Sequence, residues 1–354
     1  MAVHAGKLPD AATGAIAAPI VATSSFAYDD FDAGVRRFNG EQPGFLYSRF
    51  GNPTVQTFEA KMAALEGGDS AVAFASGMAA ISSTLLSLTS AGDEIIYVGT
   101  LYGGTDGVLR GLLPRLGIRT IPVRDLQGVE AGISPSTRLI YVETPANPVM
   151  GIVDLAEVAR IARGAGIFNV ADNTFSTPCL TQPLTLGIDV VVHSATKYIG
   201  GHGDVTGGVV VGHAELIKSI RSTGMRDLGG CMSPHEAVMF IRGLKTLPLR
   251  MDAACDNAGQ IAAFLHTHPA VERVYYPGLL SHPGHEIACR QMRRFGGILS
   301  FELRGGRAMA RTFLDHLNLV TQAVSVGDVD SLACHPASTT HPLRIARWPK
   351  TFVC

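Results

Sequence analysis

Between residues 54 and 212 the chain alternates helical periodicity with short, β-branched apolar runs, and no other feature constrains the fold as tightly. "PTVQTFEAKMAALEGG" opens with proline, sets Val55, Phe58, Met62 and Leu65 at helical spacing and stops at Gly67 and Gly68. Extended runs follow in "AVAFAS", "DEIIYVG", "IRTIPV", "TRLIYVET", "GIFNVADN" and "GIDVVVHSA", and "GGVVVG" adds a seventh. Helical signals lie between them in "GMAAISSTLLSLT", over about residues 103 to 116, and in "DLAEVARIARGAG". Short runs that stay apolar throughout suit strands buried on both faces. The pattern predicts an α/β fold with a mainly parallel sheet.

The flanks read differently. Residues 1–53 scatter proline, glycine and threonine without a long periodic segment, which suggests an extended N-terminal arm. Beyond about residue 245, "DAACDNAGQIAAFLHTH", "VERVYYPG", "GGILSFELRGG" and "AMARTFLDHLN" predict a small α+β domain. The expected division is therefore 1–53, 54–245 and 246–354.

At 354 residues and 46% hydrophobic content the chain buries a large core, and its net charge of −1 is carried without basic clusters. Neither a nucleic-acid groove nor a polybasic membrane patch is indicated, so the expected partners are a small molecule and another subunit. Nothing approaches 18 uninterrupted apolar residues and the N-terminus lacks a signal-peptide pattern, which points to a cytoplasmic protein. The six cysteines are far apart with no C-x-x-C, and His266/His268 and His282/His285 sit beside prolines without H-E-x-x-H. No metal is expected.

Lys197 is a single cation in "HSATKYIGGHGDVTGG", between two apolar runs. In a largely buried pocket its ammonium form is disfavoured, and the neutral amine forms Schiff bases with carbonyls. A structural lysine paired with a carboxylate fits Lys197 taken alone equally well. Asp172 in "VADNTF" closes an apolar strand, at the end where open parallel sheets place ligands. A carboxylate there suits the ring nitrogen of pyridoxal phosphate, which needs an acidic partner to remain an electron sink. At about 3 Å and an effective dielectric of about 20 such a pair is worth roughly 5 kcal/mol. Gly77 and Met78 in "FASGMAA" open a helix after a strand, where free N–H groups bind phosphate, and the hydroxyls of Ser194 and Thr196 are further candidates. A turn-capping role for those hydroxyls is the alternative. No phosphate loop of the G-x-x-x-x-G-K-[ST] kind is present, and no G-x-G-x-x-G follows a strand.

In order, "ASGMAA", "LYGGT", "ETPANP", "VADNTF", "HSATKYIGGHGDVTGG" and "YPGL" resemble the Cys/Met metabolism family of pyridoxal-phosphate enzymes, from about residue 3 to about 341. The resemblance implies an aspartate aminotransferase-like fold with a seven-stranded, mainly parallel sheet. It implies that Lys197 holds the cofactor as a Schiff base and that Asp172 pairs with the pyridine nitrogen. Tyr102 would stack on the ring and assist the leaving group, and Asn147 would meet the ring hydroxyl. Gly77, Met78, Ser194 and Thr196 match phosphate ligands. Tyr47 and Arg49 in "FLYSRFGNP" match residues that reach the neighbouring subunit's phosphate, so a homo-oligomer, usually a dimer of dimers, is implied.

The implied chemistry is γ-elimination on methionine or homocysteine, with cystathionine γ-lyase or γ-synthase activity or O-acylhomoserine sulfhydrylation as alternatives. Gly104 stands where methionine-cleaving relatives carry cysteine, Val324 before Ser325 is the lyase-like choice, and Arg226 replaces a lysine. Past His341 the sequence departs from the family, whose next strand carries the arginine that grips the substrate carboxylate. The residues around Arg344 and Arg347 do not reproduce that strand, which leaves Ser325 as a weaker carboxylate contact. The resulting expectation is a chain that binds cofactor and turns over amino acids poorly, with a non-catalytic cofactor-binding protein as the extreme case.

Overall fold

The computed structural model describes residues 1–6 and 9–339 and the backbone of residues 352–353. All seven apolar runs are strands: β1 (Ser70–Phe74), β2 (Glu94–Val98), β3 (Arg119–Val123), β4 (Thr137–Glu143), β5 (Phe168–Asp172), β6 (Val190–Ser194) and β7 (Gly208–Gly212). They form one sheet in the order β1-β7-β6-β5-β4-β2-β3. Strands β2 to β6 pair in parallel, while β7 is antiparallel to β1 and β6. Successive residues feed opposite faces. Val72, Phe74, Tyr97, Tyr141, Val170 and Val192 enter one cluster, and Ala71, Ala73, Val209 and Val211 enter another. Helices cover both faces, which is why these strands carry no polar alternation.

The helix Pro53–Glu66 begins where Asn52 caps Thr54 N–H at 3.0 Å and ends at Gly67, whose φ of 76° is left-handed. The helix Gly77–Leu88 starts at Ser76, whose hydroxyl accepts from Ala79 N–H at 3.0 Å. The signal over 103 to 116 gives a broken element: an α-turn at Gly103–Gly107, a π-turn at Val108–Leu112 and a 3-10 turn at Leu113–Leu116. Pro114 has no N–H to continue the α-helical ladder, so the register shifts ahead of it. The arm is not wholly extended, because Asp30 caps a short helix at Phe31–Phe38.

After β7 come the helices Ala214–Ile220 and Pro234–Leu244 and then the long helix Leu247–Thr267. Strand Val271–Tyr275 pairs antiparallel with Ser300–Leu303, and Phe352–Val353 adds a third strand to that sheet. Ala258 and Ala262 of the long helix, with Ala310 and Leu314 of Gly306–Asp315, pack on its Val274 and Phe301. Among the described residues no helix is long and apolar enough to cross a membrane.

Candidate active site

Strands β1, β2, β4, β5 and β6 point the same way, so the residues that follow them gather along one sheet edge. Gly77 and Met78 follow β1, Tyr102 follows β2, and Asn147 follows β4. Asp172 closes β5 and Ser194 closes β6, with Thr196 and Lys197 in the turn beyond. Parallel sheets present their strand ends and helix N-termini at such an edge, which is where ligands bind.

The Lys197 side chain is half-buried, and desolvation pushes its amine below the usual lysine range. Its Nζ donates to Ser325 Oγ at 3.1 Å, joining the turn after β6 to a loop 128 residues away. Gly327 makes that approach possible. Its φ is +81°, and a side-chain carbon there would lie 2.5 Å from Tyr198 N. On its other side the turn is braced by Arg250, whose guanidinium donates to Tyr198 O at 2.7 Å, Gly243 O at 2.8 Å and Thr246 Oγ1 at 3.1 Å. Nothing local in the sequence marks Arg250, because its partners are set by tertiary packing.

Asp172 is 6% exposed. Its carboxyl is pushed up by burial, against the pull of hydrogen bonds from the Thr174 hydroxyl and N–H and the nearby His193 imidazole. The adjoining residues are locked from the opposite side: Glu66 Oε1 accepts from Asn173 Nδ2 at 3.0 Å and meets His193 Nε2 at 2.5 Å. The Glu66 and His193 side chains are fully buried. A carboxylate that ends a helix gives no sequence sign of this bond to a residue 127 positions away.

Glu143, at the end of β4, accepts from Tyr102 N–H at 2.7 Å and Asn147 N–H at 3.3 Å. The rule that drew attention to Asp172, a carboxylate closing a parallel strand, applies equally to Glu143. Asn147 Oδ1 is buried with no hydrogen-bond partner among the described residues. Tyr102 is 46% exposed and its ring flanks Gly104, where an added side-chain carbon would lie 2.6 Å from the ring and 2.7 Å from Met78 Sδ. A carbon added at Gly77 would lie 2.7 Å from Ser194 Cβ and Oγ, so glycine alone lets the helix start approach β6 this closely. Thr196 is occupied by the turn: its hydroxyl donates to Gly207 O at 3.2 Å and accepts from Gly207 N–H at 3.0 Å.

Tyr47 and Arg49 stand elsewhere. Arg49 lies over the Tyr47 and Phe50 rings, at 5.7 and 4.8 Å, and its Nη1 donates to the Arg226 carbonyl. Arg226 in turn pairs with Asp227 at 2.8 Å, which holds that carboxyl below its usual range. Among the described residues no hydrogen bond joins Tyr47 or Arg49 to Lys197, Asp172 or Ser194. Arg344 and Arg347 fall outside the described residues.

The edge fits pyridoxal phosphate. It offers a half-buried amine, a buried carboxyl, an amide with an unsatisfied end in Asn147, and a helix start whose Gly77 and Met78 N–H groups lie beyond the Ser76 cap. Known proteins agree with that fit. The chain is 48% identical over 343 residues to an L-methionine γ-lyase of Pseudomonas putida, covering 96% of this chain and 86% of that protein. It is 46% identical over 342 residues to a cystathionine γ-synthase of Mycobacterium tuberculosis, with the same two coverages. The crystal structure of metB from Corynebacterium glutamicum superposes with a TM-score of 0.94 at 41% identity, covering 99% of this chain and 91% of that one. The model of the Cys/Met metabolism PLP-dependent enzyme family matches residues 1–346, and the chain belongs to that family, with its pyridoxal-phosphate cofactor and its aminotransferase-like fold.

Proposed function

We propose that the chain catalyses γ-elimination on methionine or homocysteine, releasing 2-oxobutanoate, ammonia and a thiol. The observation that carries this reading is the Lys197 amine, shifted by burial towards its neutral form and held 3.1 Å from Ser325 Oγ. A neutral amine is the base that proton removal from a substrate α-carbon requires. Relatives named for this reaction support the substrate class.

Bound pyridoxal phosphate supplies an electron sink for the charge left on the substrate carbons. In our reading Lys197 would hold the cofactor and its Nζ would take the α-proton, while Asp172 would keep the ring nitrogen protonated. Tyr102, half-exposed beside Gly104, would stack on the ring and supply a proton to the leaving group. Asn147 would meet the ring hydroxyl. Gly77, Met78 and Ser194 would take the phosphate, joined by Thr196 if its hydroxyl turns from Gly207. Ser325 contacts the substrate carboxylate. We take residues 54–245 as the cofactor-binding domain, 1–53 as its arm and 246–354 as the small domain. The large sheet ends before residue 245 and the antiparallel sheet begins after it, which supports that division.

A second reading is favoured by Gly104. A carbon added at Gly104 would lie 2.6 Å from the Tyr102 ring and 2.7 Å from Met78 Sδ, so cysteine would require those side chains to shift, and glycine there matches cystathionine-processing relatives. Assays of methionine, homocysteine, cystathionine and O-acetylhomoserine side by side, each with and without cysteine, decide between the two. Faster 2-oxobutanoate release from methionine or homocysteine than from the others supports elimination. Preferential cystathionine formation from O-acetylhomoserine and cysteine overturns it.

The active unit in this reading is at least a dimer, with a dimer of dimers as the expected assembly. Among the described residues Tyr47 and Arg49, beside Arg226 and Asp227, make no hydrogen bond to Lys197, while Phe31 and Phe38, seven residues apart on one helix, are each more than two-thirds accessible. Two exposed aromatic rings on one helix face support an interface there. Mixing Arg49→Ala with Lys197→Ala chains is expected to restore activity in hybrids, and no recovery in proven hybrids would assign each site to one chain. A cytoplasmic setting completes the reading, supported by five free cysteines among the described residues.

A further inference from the structure

Thr174, two residues past β5, ties the carboxylate of Asp172 to the backbone of Ser194. Its N–H donates to Asp172 Oδ1 at 3.0 Å, and its hydroxyl donates to the same oxygen at 2.5 Å. The hydroxyl oxygen in turn accepts the Ser194 N–H at 2.9 Å. A threonine hydroxyl has one proton, and with the Ser194 N–H occupying a lone pair that proton is directed at Asp172. Oδ1 thus receives two donors, whereas the protein group bonded to Oδ2 is the Tyr141 hydroxyl, at a long 3.5 Å. Both Thr174 bonds favour the carboxylate over the acid, offsetting part of the cost of burying it.

We propose that Thr174 is a positioning residue for the cofactor ring: it turns Asp172 so that Oδ2 faces the pyridine nitrogen, and through Ser194 it fixes the distance between the nitrogen contact and the phosphate contact. The assignment rests on Asp172 being the ring-nitrogen partner. Two contacts at opposite ends of one rigid ligand tolerate little relative movement, and a single side chain bridging both sets their spacing. Thr174 touches neither substrate nor cofactor in this assignment. Its loss therefore acts on cofactor affinity, the protonation of the ring and turnover, with little effect on substrate affinity.

The test uses purified holoprotein carrying Thr174→Val, which removes the hydroxyl at nearly constant volume, alongside Thr174→Ser, which restores it. Losing a hydrogen bond to a charged group is expected to weaken pyridoxal phosphate retention by about 10- to 100-fold in the valine variant, with serine returning close to wild type. The pH midpoint of the cofactor's visible band is expected to rise, because a ring nitrogen without its proton no longer repels the proton on the neighbouring imine. Turnover falls while KM for methionine stays within about twofold. Should valine prevent folding, Thr174→Ala, which admits a water to the Ser194 N–H, carries the same expectations. Wild-type retention and an unmoved band in the valine or alanine variant overturn the proposal. Asp172→Ala is the benchmark. If it too leaves retention and band unchanged, the underlying assignment of Asp172 fails; if it alone disturbs them, only the role of Thr174 fails.

Discussion

Asp172 and Ser325 belong to one candidate site and are held in it by different means. Asp172 closes a central strand, is buried, and is bonded by the Thr174 N–H and hydroxyl. Ser325 is exposed on a loop between two-residue strands, and its one side-chain bond among the described residues is to Lys197. The sheet edge is a preorganised floor whose geometry follows from strand register. The loop is a roof whose position depends on a few contacts such as Gly327 against Tyr198. Substitutions in the floor should thus act on chemistry and folding, and substitutions in the roof on substrate handling.

The sharpest way to break the contrast is Lys197→Ala, which removes the amine on which the floor converges. Activity is expected to fall by at least about 10²- to 10⁴-fold, the range for a lost proton-transfer group. Borohydride should no longer fix cofactor to the tryptic peptide spanning residue 197. A retained imine absorbance would show that another residue carries the cofactor.

Glu66→Ala comes next. Removing a buried hydrogen-bond partner is expected to cost about 1 to 3 kcal/mol for each group left unsatisfied, read as a lower midpoint in denaturant. His193 loses its partner and Asn173 keeps only its bond to the Thr181 carbonyl, so cofactor retention should weaken together with stability. An unchanged midpoint would mean that the floor does not depend on this clamp.

For the roof the expectation is smaller. Ser325→Ala deletes one partly solvated hydrogen bond, worth about 0.5 to 1.5 kcal/mol, so kcat/KM for methionine should drop by at most about tenfold with cofactor retention unaltered. Loss of the cofactor in this variant would erase the distinction between floor and roof.

The smallest effect concerns pH. Burial disfavours the protonated Lys197 amine, so its neutral form is present at lower pH than for an ordinary lysine. The rate at which cofactor-stripped protein takes up pyridoxal phosphate should therefore rise with pH through a midpoint below the ordinary lysine value. A midpoint at or above that value would place the amine in open water.

Floor and roof also differ in how legible they are from sequence. All seven strands and the residues at their ends are visible because a two-sided sheet forces continuous apolar runs, and strand ends are where Asp172 and Ser194 fall. Pro234–Leu244 was equally open to reading, since Ser233 and Glu236 form a capping box. Thr174, Glu66 and Arg250 were not. Glu66 meets His193 across 127 positions and Arg250 reaches Tyr198 across 52. Only the packed chain brings such residues together, and no local periodicity encodes the meeting. The contact between Lys197 and Ser325 is of the same kind, and only family resemblance pointed to Ser325.

Arg250 carries a mechanical consequence. It stands in the first turn of Leu247–Thr267, a helix of 21 residues and hence about 31 Å long, and is stapled there to the backbone just after Lys197. The second half of that helix bears on the antiparallel sheet through Ala258 and Ala262. The helix is thus a lever with its fulcrum beside Lys197, at the Tyr198 carbonyl. Were the antiparallel sheet to tilt by a few degrees, the lever's far end would sweep about 1 to 2 Å while the lysine backbone, at the pivot, hardly moved.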